Sequence, residues 1–362
     1  MSAPDDENDL ETESEEDEAE VSVNYEIATY PSDFTLSGIS QMWIDGDIEI
    51  PDYQREFVWS IKQSSLLIDS FLRGLPVPPV FFYVDEDSKN IVIDGQQRIL
   101  SVVFYLEGYF GKESTHGKRQ VFRLTGIGEN NHFNRRTFDE LAESDQRKLK
   151  QSVLRAINIK QLRPIGESTS AYHIFERLNT GGVPLKPQEI RNCVFRGEFC
   201  QLLKEANTDP NWRKILGRKN IDKHLRDVEF ILRVFSLVGS AGGYEKPMKE
   251  FLNVEMGKHR SGKTSKVREF FKAFPIVTDL VVRNLGERPF HIRGPLNISV
   301  LDSVMSVCIE NHRKLTGSRN LKKRFEHLRQ DQDFIDAATV NTTDTKTVNN
   351  RLTIVCRALL DQ

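Results

Sequence analysis

The sequence predicts an α+β protein in which a core domain of strands and helices precedes a helical domain. A β-branched run at 91–93, an Asp-Gly pair and an apolar run over 99–106 are typical of a strand, a turn and a helix. From about residue 198, apolar residues recur every three or four positions, as they do on packed helices. These observations predict a core domain over 23–197 and an all-α helical domain over 198–362.

Residues 1–22 are predicted to form an acidic disordered tail, because they have almost nothing apolar to bury. The formal net charge of −3 hides an asymmetry. Residues 1–54 hold 17 of the 53 acidic residues and none of the 50 Lys and Arg, so residues 55–362 have 50 bases against 36 acids, or +14. A basic body of this kind can meet a polyanion. The tail either mimics a polyanion or serves solubility alone.

Capping residues and apolar spacing predict the first elements of the core domain. Apolar residues over 36–43 indicate a helix that ends at Asp45-Gly46, and 48–50 indicates a short strand. Ser60 and Gln63 form a capping box for a further helix, which Gly74 ends. The remaining core elements are predicted as a hairpin of strands 80–84 and 91–93, a strand at 119–124, a helix at 139–154, a strand at 156–161, a helix at 168–178 and a helix opened by Pro187.

The turn Asp94-Gly95-Gln96-Gln97-Arg98 is the candidate functional site. It opens a helix, where free backbone N–H groups and the helix dipole favour an anion. Glycine allows an unusual φ and the close approach of a ligand. The glutamines add amide donors and acceptors, and Arg98 adds a planar fork that suits phosphate. The alternative is a loop capped by Asp94 with a solvated Arg98.

This turn resembles the signature of the GmrSD-type restriction-system N-terminal domain family (domain of unknown function 262). Two further blocks agree with the family in type and order. They are Ile50-Pro51-x-Tyr53-Gln54-Arg55-x-x-x-Trp59 and Phe175-x-Arg177-Leu178-Asn179-Thr180-Gly181-Gly182, the latter followed by Glu189-Ile190-Arg191-Asn192. The resemblance implies a core similar to the ParB/sulfiredoxin fold. It also implies binding and hydrolysis of a nucleoside triphosphate, and a part in defence against foreign DNA.

The resemblance implies a site as well. Its catalytic residues would be Asp94, Gln97 and Arg98, with Asp94 holding Mg²⁺ or capping the helix, Gln97 orienting the attacking water and Arg98 neutralising phosphate charge. The nucleotide-binding residues would be Tyr53, Gln54, Arg55, Gly95, Gln96, Arg177, Asn179 and Thr180. Two other functions stay open: a nucleotide- or DNA-sensing subunit without turnover that controls a separate effector, and a nuclease that uses the core domain itself.

Two other motifs invite a functional interpretation. Residues 257–264 satisfy the P-loop expression, but the preceding residues indicate an amphipathic helix rather than a buried strand. We therefore interpret 257–264 as a basic surface connection. The eight histidines are scattered and form no HNH nuclease motif. The predicted nucleic-acid contacts are Lys219, Lys223, Arg260 and Lys263, with Arg213 as a further candidate and Trp212 available for stacking.

The sequence also suggests a cellular location. No apolar run approaches the length that spans a bilayer, and the acidic N-terminus is unlike a signal peptide. Four cysteines without close metal-ligand spacing fit a reducing cytoplasm. We expect a cytoplasmic protein.

Overall fold

The computed structural model describes residues 26–50, 57–85, 87–111, 119–163, 169–178, 186–240, 242–292, 294–316 and 320–360. The chain divides into two compact units. The described residues of one are 26–163 and 173–178, and those of the other are 169–172 and 186–360.

The first unit contains a mixed sheet and the helices that cover it. The elements as far as residue 178 are β1 (Glu26–Thr35), α1 (Leu36–Ile44), β2 (Ile48–Glu49), α2 (Ile61–Arg73), β3 (Val80–Val84), β4 (Asn90–Asp94), α3 (Gln96–Glu107), β5 (Tyr109–Phe110), β6 (Gln120–Val121), α4 (Glu143–Gln151), β7 (Val153–Arg163) and α5 (Ser170–Leu178). In the five-stranded sheet, β1 pairs antiparallel with β7, β7 parallel with β3, β3 antiparallel with β4, and β4 parallel with β2. A second sheet pairs β5 with β6.

The core of this unit lies around β4 and α3. Residues 91–93 of β4 and 99–105 of α3 are all buried, and α3 packs against α1 and α2. The apolar run that predicted a strand and a helix therefore becomes the centre of the unit. Asp94, at the end of β4, is exposed.

Several local predictions for this unit are confirmed. β3 and β4 form the expected antiparallel pair. Ser60 and Gln63 form a capping box at the start of α2, and Gly74 ends α2 in the left-handed conformation. Thr35 caps α1, whose bounds match the predicted helix.

Two predictions from local patterns are wrong. The helix expected over 139–154 ends at Gln151, because Val153 already pairs with Thr35 at the start of the long β1–β7 ladder. The strand expected over 119–124 shrinks to the two residues of β6. The buried Phe122 and Leu124 leave the ladder, and their N–H groups donate to the carbonyls of Gly108 and Arg136.

The elements of the described residues 186–360 are helices. A likeness of the first unit to the ParB fold and an entirely α-helical second domain stay predictions. The helices are α6 (Pro187–Val194), α7 (Glu198–Ala206), α8 (Pro210–Leu216), α9 (Arg226–Leu237), α10 (Met248–Lys258), α11 (Ser265–Leu285), α12 (Ile298–Glu310), α13 (His312–Leu315), α14 (Leu321–Leu328), α15 (Gln332–Ala337) and α16 (Thr345–Leu360).

Helix α6 groups with the helices that follow it, ahead of the predicted boundary at 197/198. Its Arg191 is 1% exposed. The guanidinium donates from Nε to Asn253 Oδ1 over 2.9 Å and from an η nitrogen to Glu229 Oε2 over 2.8 Å. Since these partners lie on α10 and α9, Arg191 fastens α6 to both helices.

A second buried cluster joins α9, α12 and α16. The Asp302 side chain is fully buried, and its Oδ2 accepts from Arg233 Nε and an η nitrogen at 3.1 and 2.8 Å. An η nitrogen of the fully buried Arg351 lies 3.5 Å from Asp302 Oδ1. One carboxylate thus stands between two buried guanidinium groups.

Among the helices of the described ranges, none has the length and apolar character needed to cross a membrane. Of the four cysteines, Cys193, Cys200 and Cys308 are buried and Cys356 is exposed.

Candidate functional site

The turn between β4 and α3 is fixed by Gly95. Its φ of 103° is in the left-handed region, as the sequence predicted. A Cβ at this position would lie 2.3 Å from Val80 Cγ1, so no other residue fits without a shift of β3. Glycine is therefore required at position 95 because its backbone lies close to Val80 of the neighbouring strand β3.

Asp94 and Arg98 form an ion pair across this turn. An η nitrogen of Arg98 lies 2.8 Å from Asp94 Oδ2 and also donates to the Pro79 carbonyl over 3.1 Å. The Arg98 side chain is 17% exposed and the Asp94 side chain 51% exposed. Asp94 makes no side-chain cap of α3, whose N-cap is Gly95. The alternative of an Asp94 cap with a solvated Arg98 is therefore wrong.

The atom Arg98 Nε is buried without a hydrogen-bond partner among the described residues. The guanidinium is thus held in place by the η nitrogen that contacts Asp94 and Pro79. A ligand that approaches the start of α3 would meet a cation that has already lost most of its hydration. Such a cation binds an anion more strongly than a solvated one does.

Gln97 connects this turn to the last residues of the first family block. Its Oε1 accepts hydrogen bonds from the backbone N–H of Val58 at 3.0 Å and of Trp59 at 3.1 Å. The Phe57 ring makes edge contacts with Phe104 of α3 at 5.0 Å between centroids. Sequence reasoning missed the Gln97 contact, because its partners lie 38 and 39 positions away and no local pattern indicates them.

The third family block approaches the same strands through α5. The Phe175 ring lies 5.7 Å from the Tyr83 ring on β3. Tyr83 is two residues from Phe81, the pairing partner of Asp94 on β4. Arg177 is exposed in the last turn of α5. Gly95 and Gln96 stand at the start of α3. The other predicted nucleotide-binding residues, Tyr53, Gln54, Arg55, Asn179 and Thr180, lie outside the described residues.

The P-loop lookalike is a helix connection, as predicted. Residues 257–264 join α10 to α11, and no strand precedes them in the described range 242–256. Thr264 is the N-cap of α11, where its Oγ1 accepts from the Val267 N–H. The same oxygen lies 2.7 Å from Nδ1 of His259, which is 3% exposed. The hydroxyl that a true P-loop would offer to Mg²⁺ is therefore used to cap a helix.

Replacing Thr264 by alanine should reduce the free energy of unfolding by about 0.5–2 kcal/mol, the usual contribution of an N-cap. Thr264→Ser should keep most of that stability, because serine retains the capping oxygen. Chemical denaturation measures both effects. If nucleotide turnover per folded molecule fell sharply in Thr264→Ala, residues 257–264 would be a phosphate site after all.

Glu255 supports the same connection from α10. Burial by itself raises the pKa of its carboxyl, but the nearby His259 ring, at 3.6 Å, and a hydrogen bond from Lys266 outweigh burial and lower the pKa from 4.5 to about 2. Lys266 Nζ lies 2.7 Å from Oε2 of Glu255.

A lowered folded-state pKa means that Glu255 stabilises the fold above about pH 4.5, and that this stabilisation is lost as the pH falls towards about 2. Glu255→Gln should therefore show a weaker loss of stability over that acid range than the wild type. Urea unfolding at several pH values measures the slope. Parallel pH profiles for the two proteins would contradict the assignment.

The basic residues predicted to contact nucleic acid give a divided result. Lys219, Lys223, Arg260 and Lys263 are all exposed. The prediction that Trp212 is available for stacking is wrong. Its side chain is fully buried, donates from its indole N–H to Asn207 and packs on Phe274.

The prediction that Arg213 contacts nucleic acid is also wrong, because its side chain is only 10% exposed and forms an ion pair with Asp227. Its guanidinium donates to the carbonyls of Arg218 and Asn220 as well, and so holds the loop that carries Lys219. Trp212 and Arg213 serve the interior rather than a ligand.

In the described part of the chain, no three or more His, Cys, Asp or Glu side chains come together as a metal site.

Comparison with known proteins identifies one family. Residues 36–196 match the family model described as the GmrSD restriction endonuclease, N-terminal domain. The match includes the turn 94–98 and the two blocks on either side of it. No curated protein matches the chain.

Proposed function

Since residues 36–196 match the family model of the GmrSD restriction endonuclease N-terminal domain, we propose that the protein serves a restriction or anti-phage defence system by binding and hydrolysing a nucleoside triphosphate. The turn 94–98 would be the centre of the site. Phosphoryl transfer depends mainly on positioning and charge neutralisation, so a fixed arginine, amide groups and backbone donors suffice together with a metal ion.

The observation that carries the proposal is the Arg98 guanidinium at the start of α3. It is largely buried and is held by Asp94 and the Pro79 carbonyl. The first turn of the twelve-residue α3 has no side-chain cap. An anion at this turn would therefore meet the positive end of the helix and a positioned arginine at once.

Mg²⁺ is the cofactor of this proposal, and Asp94 is its ligand. Mg²⁺ in nucleotide sites keeps several waters and takes one or two carboxylates together with phosphate oxygens. The half-exposed Asp94 could supply the one carboxylate that such an ion takes. Waters and phosphate oxygens would be its other ligands. When bound, the ion would neutralise phosphate charge.

Other residues would complete the pocket in this proposal. Arg55 would neutralise phosphate charge with Arg98. Gln97 could contact the attacking water only through Nε2 while its Oε1 stays bound to the backbone of 58 and 59. The remaining binding residues would be Tyr53, Gln54, Gly95, Gln96, Arg177, Asn179 and Thr180.

The test is a screen of the four ribonucleoside triphosphates for phosphate release, with Mg²⁺ and with or without DNA. We expect release with at least one nucleotide, and none when EDTA replaces Mg²⁺. Binding without release would favour a sensing subunit that controls a separate nuclease or other effector. Cleavage of plasmid DNA by the purified protein would favour a nuclease in the core domain.

DNA is the second proposed partner. Lys219, Lys223, Arg260 and Lys263 are exposed on a chain whose residues 55–362 have a charge of +14, with 50 bases against 36 acids. Contacts of such residues with phosphates release counterions, so affinity for DNA should fall steeply as salt increases.

A further inference from the structure

We propose that the connection 257–264 and the first turn of α11 bind the phosphate backbone of double-stranded DNA through Arg260, Lys263 and Arg268. The premise is that DNA is a partner, as in the proposed function. The site involves neither a nucleotide nor the turn 94–98, so it can fail while the proposed triphosphatase stands, and the reverse.

The connection is fastened to the segment that leads into α7. The Phe199 N–H donates to the Arg260 carbonyl over 3.3 Å, and Arg260 Nε donates to the Arg196 carbonyl. A Cβ at Gly197 would lie 2.2 Å from the Arg260 carbonyl oxygen, so the two segments approach as closely as glycine permits. This packing fixes the backbone that carries Arg260.

Three cations at this place have no acidic partner. Arg260, Lys263 and Arg268 are exposed, and none of them forms an ion pair with another residue in the part of the chain that the structure describes. Arg260 and Arg268 each donate to one backbone carbonyl, that of Arg196 and that of Lys263. Both guanidinium groups are therefore oriented, yet each keeps donors for a phosphate.

These charges stand where a helix by itself disfavours them. Residues 257–269 contain five Lys and Arg and one acidic residue. The first turn of the 21-residue α11 has no acid, and its first four residues include Lys266 and Arg268. The positive end of a helix destabilises nearby cations. Glu255 neutralises Lys266 over 2.7 Å, but Arg268 has no such partner. A bound phosphate would relieve this repulsion.

The positive potential extends from the connection onto α7. Burial raises the pKa of the Cys200 thiol to about 11, and the positive charges of Lys204, Arg260 and Arg196 oppose that rise. Because all three act on one thiol, bases from both segments lie around the same point. Lys204 and Arg196 therefore add to the attraction that Arg260 exerts on an anion.

A duplex backbone fits this surface better than a single strand does. Proteins that hold single strands stack the bases on exposed aromatic rings. In the described part of residues 186–360, no aromatic side chain is exposed. Arginine and lysine contacts with phosphates position a duplex but carry no information about its sequence. The site should therefore bind unrelated duplexes with similar affinity.

The test measures binding of a short labelled DNA duplex over a series of salt concentrations. The triple variant Arg260→Gln, Lys263→Gln, Arg268→Gln should bind at least about tenfold more weakly, and the slope of log affinity against log salt should flatten by about 2–3. Lys263→Gln alone should flatten the slope by about 1. Its side chain has no partner among the described residues, so this variant should fold normally even if the triple variant does not.

A matched control removes the same charge from α14 and the residue after it. Lys322, Lys323 and Arg329 are exposed as well, and glutamine at all three should leave the salt slope nearly unchanged. Equal weakening by the two triple variants would show that binding follows net charge and would overturn the site.

The remaining outcomes separate the site from its premise. Unchanged binding in the first triple variant, when it is folded, or an unchanged slope in Lys263→Gln would overturn the site but leave DNA as a partner. Tighter binding of a single strand than of the duplex would overturn the duplex assignment. Absence of binding by the wild type would remove both the site and DNA, whereas phosphate release would still decide the triphosphatase.

Discussion

Arg98→Ala is expected to lower nucleotide turnover by roughly 100-fold or more, since removing one preorganised stabiliser of transition-state charge commonly has this effect. The reason lies in the placement of the guanidinium, which is 17% exposed and already oriented by Asp94. Arg98→Lys should recover only part of the loss, because a lysine keeps the charge but loses the planar fork. The rate of phosphate release at saturating nucleotide measures the turnover of the wild type, Arg98→Ala and Arg98→Lys.

A matched control separates this effect from a general loss of stability. Arg73 of α2 pairs with Asp69 over 2.9 Å at the same spacing of four residues. Arg73→Ala removes a comparable ion pair and should leave turnover unchanged. Circular dichroism and thermal unfolding show whether each variant is folded. Normal phosphate release by a folded Arg98→Ala protein would contradict the proposed site.

Asp302→Ala is expected to destabilise the helical unit by about 3–5 kcal/mol, the typical cost of removing one partner from a buried ion pair. The substitution would leave the buried Arg233 and Arg351 without the carboxylate that stands between them. Asp302→Asn preserves the shape but removes the charge, so it should be destabilising as well. Urea denaturation of the purified protein measures the change.

The exposed pair of Asp279 and Arg283 provides the comparison. Its atoms are 2.9 Å apart, but the side chains are 39% and 76% exposed. Asp279→Ala should therefore cost no more than about 1 kcal/mol, as for other surface pairs. Similar effects of the two substitutions would mean that Asp302 is not the electrostatic centre of α9, α12 and α16.

Local sequence signals predicted the elements whose causes are local. The capping box of Ser60 and Gln63 and the turn at Gly95 depend on residues within a few positions of each other. The boundary between α4 and β7 depends on Val153 pairing with Thr35, far away in the sequence. Helical spacing over 139–154 contains no information about that partner.

The same distinction applies to the candidate site. The ion pair of Asp94 and Arg98 joins residues four apart, and the predicted turn places both side chains at the start of one helix. Gln97 looked equally available for a ligand, yet its oxygen is engaged by a distant segment. Trp212 looked like an exposed aromatic within a basic stretch, but its position in α8 turns the ring towards Phe274 of α11. Neither outcome is encoded in neighbouring residues.

The ion pair between Asp94 and Arg98 makes metal and phosphate interdependent at the proposed site. Phosphate alone would draw Arg98 away and leave a carboxylate without its cation, whereas Mg²⁺ alone would draw Asp94 away from a largely buried guanidinium. When phosphate and Mg²⁺ bind together, Arg98 would exchange the Asp94 carboxylate for phosphate, and Asp94 would exchange the Arg98 guanidinium for Mg²⁺. Their binding free energies should therefore be coupled, and by reciprocity each should raise the affinity for the other by the same factor. The resting protein would then respond to the metal–nucleotide complex rather than to either component.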